Sequence, residues 1–164
     1  MPLRQRRSEG TARPARTQLA DFIAKYTPPV AAEGRAALAK MRRLVPGATE
    51  LVYDNWNFLV VGFGPSERAS DAVLSVAFAP RWIIVGFLQN GPALPDPLKL
   101  LRGSGTRVRN VRLGSAKDLD TAPIRSLIKA ALAGARVPIR PTAKRSLIIR
   151  SISARQRPRR PKEG

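Results

Sequence analysis

TELVYDNWNFLVVGFGPSERASDAVLSVAFAPRWIIVGFL, residues 49–88, decides how this chain folds. Short runs rich in Val, Ile, Phe and Trp are separated here by Asp, Asn, Gly and Pro, the composition of strands divided by turns. The runs predict strands at 50–53, 56–63, 72–79 and 82–88, joined by Asp54-Asn55, by a loop from Gly64 to Asp71 and by a tight turn at Pro80-Arg81. Connections this short leave room only for antiparallel neighbours. In the third run Leu74, Val76 and Phe78 share one face opposite Ser75 and Ala77, the alternation of a sheet with one side on a core.

Working outward, the flanks change to helical spacing. Thr17 is placed to cap a helix whose apolar stripe is Leu19, Phe22, Ile23 and Tyr26, ended by Pro28-Pro29. Pro29 can open a second helix, with Ala37, Leu38, Met41, Leu44 and Val45 inward and Pro46-Gly47 closing it. Beyond the strands, Asp96 is expected to cap a short helix through Leu98, Leu100 and Leu101, followed by a basic strand at 107–113. A last helix starts near Asp120 or Thr121, carries Pro123 in its first turn, turns Ile124, Leu127, Ile128, Ala131 and Leu132 inward and stops at Gly134. The expected fold is α+β, a two-layer sandwich with a four- to five-stranded, mainly antiparallel sheet and helices packed on it. Residues 1–16 read as a basic disordered arm, 17–135 as the domain, and 136–164 as a basic Pro/Arg-rich tail. Within that tail Leu147-Ile148-Ile149 can add a short edge strand at 145–150, and 155–164 are expected to be disordered.

At 164 residues the chain suits one hydrophobic core. Its longest apolar run, Trp82 to Leu88, is far too short to span a bilayer, so no membrane partner is expected. Cysteine and histidine are both absent. Thiolate nucleophiles, disulfides and the commonest transition-metal ligands are thereby excluded, and chemistry is left to carboxylates, hydroxyls, Lys and Arg. The lack of cysteine fits a reducing cytoplasm. Residues 1–16 have no apolar segment of the secretory kind, so a signal peptide is not expected. The net charge is +19, unevenly spread. Residues 1–16 carry five basic residues against one acid, residues 136–164 ten against one, and residues 17–135 fifteen against nine.

Several motifs together carry a resemblance. They are Pro46-Gly47-Ala48-Thr49-Glu50 with Tyr53-Asp54-Asn55, then Gly62-Phe63-Gly64-Pro65, then Gly86-Phe87 with Leu94-Pro95-Asp96-Pro97. Leu100-Leu101, Gly103-Ser104-Gly105 and Arg109 complete the set, and 153–160 adds a further similar stretch. In their order and spacing, from about Leu19 to Ala133, they resemble the YdhG-like domain of unknown function. The resemblance implies a two-layer α+β fold, and some members are described as frataxin-like intracellular iron chaperones. Iron as a cofactor is therefore implied by the resemblance alone. The sequence departs from that role: hard iron sites want clustered carboxylates, and the nine central acids are scattered among fifteen basic residues. Asn110 also stands where the family often has histidine.

Three constellations are candidates for function. Ser104, Arg107 and Arg109 around Gly103 and Gly105 suit an anion contact, against which stands a helix C-cap and turn, since a helix precedes and a strand follows. Glu50, Tyr53, Asp54, Trp56, Arg81 and Trp82 are candidates to border a ligand pocket. Turn chemistry accounts equally for Asp54-Asn55, a solvent-facing strand position for Glu50, and core packing for the aromatics. Arg145, Arg150, Arg155, Arg157, Arg159 and Arg160 can neutralise phosphates as a nucleic-acid arm, and a solvated, solubilising tail is the alternative. No aromatic residue interleaves with them in sequence, so base stacking is not indicated. With no catalytic set, the leading expectation is a non-enzymatic module that binds an unknown small ligand or acts as a chaperone. Weak nucleic-acid or other polyanion association through the arms comes second. An enzyme using Glu50, Asp54 or Tyr53 comes third.

Overall fold

Six strands form one mixed sheet in the computed structural model, which describes residues 13–162. They are β1 (Thr49–Asp54), β2 (Leu59–Gly64), β3 (Leu74–Phe78), β4 (Ile83–Phe87), β5 (Arg109–Leu113) and β6 (Ser146–Ile152). The order across the sheet is β5-β4-β3-β2-β1-β6. The first five make an antiparallel meander, as short connections require. β6 returns parallel to β1, with a register irregularity between Val52 and Tyr53.

Among the described residues three helices complete an α+β architecture: α1 (Ala15–Ala24), α2 (Pro28–Leu44) and α3 (Ala122–Ala133). Each buries the stripe its spacing dictates. Leu19, Phe22 and Ile23 of α1, Val30, Ala31, Gly34, Ala37, Leu38 and Met41 of α2, and Ile124, Leu127, Ile128 and Ala131 of α3 are all buried. They join one core with Val52, Leu59, Val61, Phe63, Leu74, Val76 and Phe78 from the sheet. Tyr26, just beyond α1, ties the layers together: its hydroxyl donates to the Phe78 carbonyl at 2.8 Å and accepts from the Leu59 N–H at 3.1 Å.

α2 crosses β3 at a distance only glycine allows. A Cβ at Gly34 would overlap the ring of Phe78, which is itself fully buried and has nowhere to move. Gly34→Ala is therefore expected to cost about 1–3 kcal/mol by overpacking, read as a lower urea midpoint with an unchanged slope.

The sheet has six strands rather than four or five, and the second begins at Leu59 rather than at 56, which leaves Trp56 in the turn; three larger differences from the sequence reading follow. The short helix expected through Leu98, Leu100 and Leu101 does not form. Asp96 does cap, accepting from the Leu100 and Leu101 N–H groups at 2.8 and 2.9 Å, but Lys99 takes a left-handed φ of 53° and the segment stays a turn. α1 begins two residues before Thr17, so Ala15 and Arg16 belong to a helix rather than to an arm; residues 1–12 of that arm lie outside the described residues.

The third and largest difference is the tail. Residues 136–162 are not a detached extension. Arg136 pairs with Asp71 at 2.7 Å, and its N–H donates to the Gln89 side chain. Gly47, at a φ of 81°, lies so close to the Arg140 carbonyl that a Cβ would collide with it. β6 then covers the free edge of β1, starting one residue inside the expected 145–150 strand and running two residues past its end to Ile152. Beyond it the Ser153 N–H donates to the Asp54 carbonyl and the Arg157 N–H to the Trp56 carbonyl, both at 2.9 Å. Residues 155–162 follow the sheet edge because β1 and the turn after it present carbonyls and a carboxylate that the tail's donors satisfy.

Candidate functional site

Side chains alternate across a strand, so Glu50, Val52 and Asp54 of β1 share the face that looks at the helices. Their cross-strand partners, Phe63, Val61 and Leu59, are core residues. Two carboxylates are thus placed in the edge of the core, with Glu50 at 2 % and Asp54 at 0 % exposure. A buried charge must be paired and hydrogen-bonded, and each acid recruits cations from both flanks of the chain.

Glu50 is held by Arg42 of α2, whose Nε lies 3.0 and 3.1 Å from the two carboxylate oxygens and whose Nη2 lies 2.8 Å from Oε1. Arg145, just before β6, adds a contact at 3.3 Å. Around this fork a groove of about 550 Å³ opens between α1, α2 and β6, lined by Arg16, Arg42, Arg43, Arg145, Ser146 and Glu50. Arg42 and Arg43 sit in the last turn of α2, where the helix dipole favours cations. Arg16 and Arg43 are exposed, and among the described residues neither shares a salt bridge. The groove therefore presents four guanidinium groups against one carboxylate already saturated by two of them.

Asp54 forms a second knot at the other end of β1. The Lys25 ammonium lies 2.7 Å from Oδ2, and Arg159 Nη2 lies 2.9 Å from Oδ1. Gln156 donates to the Asp54 carbonyl and accepts from Lys25, both at 3.0 Å. Burial pushes the Asp54 carboxyl up, but the hydrogen bonds from Lys25, Gln156 and Arg159 outweigh it and hold the group below its ordinary value. Arg159 is itself buried, bonds the Asn55 and Trp56 carbonyls, and keeps one Nε–H without a partner among the described residues. Burial pushes the nearby Tyr26 hydroxyl up.

The six residues expected around one pocket are dispersed. Glu50 lines the arginine groove, Asp54 closes the Lys25–Arg159 knot, and Tyr53 lies on the opposite face of β1. Arg81 and Trp82 do border a common cavity, of about 220 Å³, with Val30 and Leu113, but the other four do not line it. Trp82 is covered by Arg112, whose guanidinium carbon lies 3.6 Å from the ring centre. Trp56 stands at the β1–β2 turn and is 51 % exposed, so core packing does not account for it. Glu50 is not a solvent-facing strand residue and Asp54 is more than a turn residue; both face the core, because the strand period sets them on the same side as Val52. No acid–base set gathers from Glu50, Tyr53 and Asp54.

The Gly103–Arg109 constellation also separates. Arg109 folds back to donate to the Gly105 and Val108 carbonyls, while Arg107 borders a different cleft with Gln89 and Arg136. Ser104 is exposed in the loop before them. In the expected nucleic-acid arm, Arg159 is spent on Asp54 and Arg145 on Glu50, whereas Arg150, Arg155, Arg157 and Arg160 remain exposed along the edge.

Among the described residues, no group of three or more acidic side chains gathers to hold a metal ion. The three carboxylates buried among the described residues, Glu50, Asp54 and Asp71, are each paired with Arg or Lys and lie apart from one another, so these donors do not fit an iron site. No helix of the described residues is long and apolar enough to cross a membrane.

Sequence reasoning passed over Arg16, Arg42 and Arg43. The available signal was Glu50 and Asp54 at alternate positions of an apolar strand, which demands buried counter-charges from elsewhere in the chain. Compared with family models, curated proteins and solved structures, the chain has no match.

Proposed function

We propose that this chain is a non-enzymatic binding module whose ligand is a polyanion, with the phosphodiester backbone of nucleic acid as the class best suited to it. The arginine groove carries this reading: Arg16, Arg42, Arg43 and Arg145 converge on a space of about 550 Å³ in which the one carboxylate is already neutralised. Guanidinium forks match phosphate oxygens in charge and geometry. The net charge of +19 supplies long-range attraction for the same ligand. The cationic site is assembled from α1, α2 and the approach to β6 rather than from free arms.

An uncharged small ligand is less well served, since the cavity beside Trp82, at about 220 Å³, is below the usual range of roughly 300–1,000 Å³. The resemblance to the YdhG-like family and a cytoplasmic location belong to the same reading, supported by the motif order and by the lack of cysteine. A chaperone role for iron has the weaker support, because the buried acids are occupied by cations.

Salt dependence tests the groove. Arg16→Glu combined with Arg43→Glu spares the two arginines that hold Glu50. The pair is expected to weaken duplex binding whatever its sequence and to make the log–log salt slope shallower by about two units, one for each lost phosphate contact. An unchanged slope would remove the groove from the account.

A further inference from the structure

In sequence no aromatic residue lies among the basic residues of 145–162, but the fold brings one there. Trp56, at the tip of the β1–β2 turn, receives the backbone of that segment: the Arg157 N–H donates to its carbonyl at 2.9 Å, and Arg159 Nη1 approaches the same oxygen at 3.4 Å. Arg157 also reaches the Asn57 side chain, and Arg160 Nε donates to the Lys25 carbonyl at 3.1 Å. Arg157, whose exposed side chain reaches Asn57, is thereby held beside an indole that is 51 % exposed, the only aromatic among the described residues left that open, and the exposed Arg155 and Arg160 lie within three residues of it along the same segment. The one carboxylate beneath them, Asp54, is fully buried and paired on both oxygens. Ile152, in register with Asp54 on β6 and 53 % exposed, extends the apolar surface at the same end of the sheet.

An open aromatic side chain on a cationic segment, with the buried carboxylate beneath it already paired, is a surface that takes an unpaired base: the ring stacks on the base and the guanidinium groups hold the adjoining phosphates. We infer that Trp56 is a stacking platform that gives this protein a preference for single-stranded over double-stranded nucleic acid. A base inside a duplex is already stacked on its neighbours and cannot offer its face. The groove at Glu50 and the platform lie along the same β1–β6 edge, six residues apart in the chain, at most about 20 Å at the usual strand rise. One strand can therefore touch both. The inference rests on the polyanion reading above and adds to it which form of nucleic acid is chosen.

The test uses the full chain, a labelled strand of about 15 nucleotides, within the range such sites cover, and its own duplex at equal salt. Trp56→Ala is expected to weaken single-strand binding about ten-fold, the scale of losing one stacked base, while duplex binding stays the same. Trp56→Phe keeps a ring and is expected to retain the preference, which a merely structural role at the turn tip would not distinguish from alanine. In Trp82→Phe, where Trp56 is the remaining tryptophan, its emission is expected to be quenched by the strand. Equal losses on strand and duplex, no loss on either, or unchanged emission would each overturn the stacking role, whatever the groove variant does. If Arg16→Glu/Arg43→Glu leaves both affinities intact while Trp56→Ala still discriminates, the groove is wrong and the platform stands. Failure of the wild-type chain to bind either form overturns both.

Discussion

Asp54→Asn is expected to destabilise the fold by about 3–5 kcal/mol at neutral pH, the usual result of leaving one member of a buried ion pair without its counter-charge. The stranded charge is Arg159, which is 6 % exposed and whose Nη2 lies 2.9 Å from Asp54. Lys25 is 41 % exposed and can turn to solvent, so its share is small. For a chain of this length the loss lowers the melting temperature by on the order of 10 °C. The pH dependence has a defined sign. The folded Asp54 carboxyl lies below its ordinary value, so its contribution is fully present above the unfolded pKa of about 3.9 and disappears as pH falls through the lower folded value. The gap in stability between wild type and Asp54→Asn should therefore be constant from neutral pH downward and close only below about pH 4. A gap that persists into strong acid would mean that shape, not charge, sets the cost. Adding Arg159→Met to Asp54→Asn is expected to cost less than the two single changes together, since both remove the same pair.

Removing residues 136–164 is expected to abolish cooperative folding rather than trim a solubilising tail. Three carboxylates are buried among the described residues, and the removed segment supplies an arginine to each: Arg136 to Asp71, Arg145 to Glu50 and Arg159 to Asp54. Removal also strips β6 from β1, opening a row of backbone donors and acceptors beside Leu51 and Val52, which are now at most 1 % exposed. Circular dichroism and urea titration of 1–135 against the full chain check this. A sharp transition in the shortened chain, with the slope appropriate to its size, would show that the meander and helices are self-sufficient after all.

Where hydrophobic period alone decides structure, the sequence was legible. Leu74, Val76 and Phe78 placed β3, although Ser75 and Ala77 opposite them are buried as well, and the stripes of α1, α2 and α3 fell on residues the structure buries, apart from the half-buried Leu44 and Leu132. The α+β class and the antiparallel meander follow from these. Long-range charge pairing was not legible. Arg42 lies eight residues from Glu50, but nothing in the sequence says that Arg145 and Arg159 reach Glu50 and Asp54 across 95 and 105 residues. Basic side chains in a Pro-rich stretch have the same composition whether they are solvated or spent on buried acids. The candidate site suffered in the same way: Arg81 and Trp82 are sequence neighbours and share a cavity, whereas Trp56 gains its cationic surroundings only through the return of 153–160.

The parallel pairing of β6 with β1 also shapes how the molecule reaches its native state. Ser146 meets Thr49 across 97 residues, so the ladder closes by a contact of high sequence separation, which is entropically costly and slow compared with the local hairpins of the meander. Until it closes, a partly folded chain carries an open strand edge, the feature by which such species associate with one another. The same surplus of positive charge that suits a polyanion makes those species repel, and so protects the chain during the interval its topology imposes.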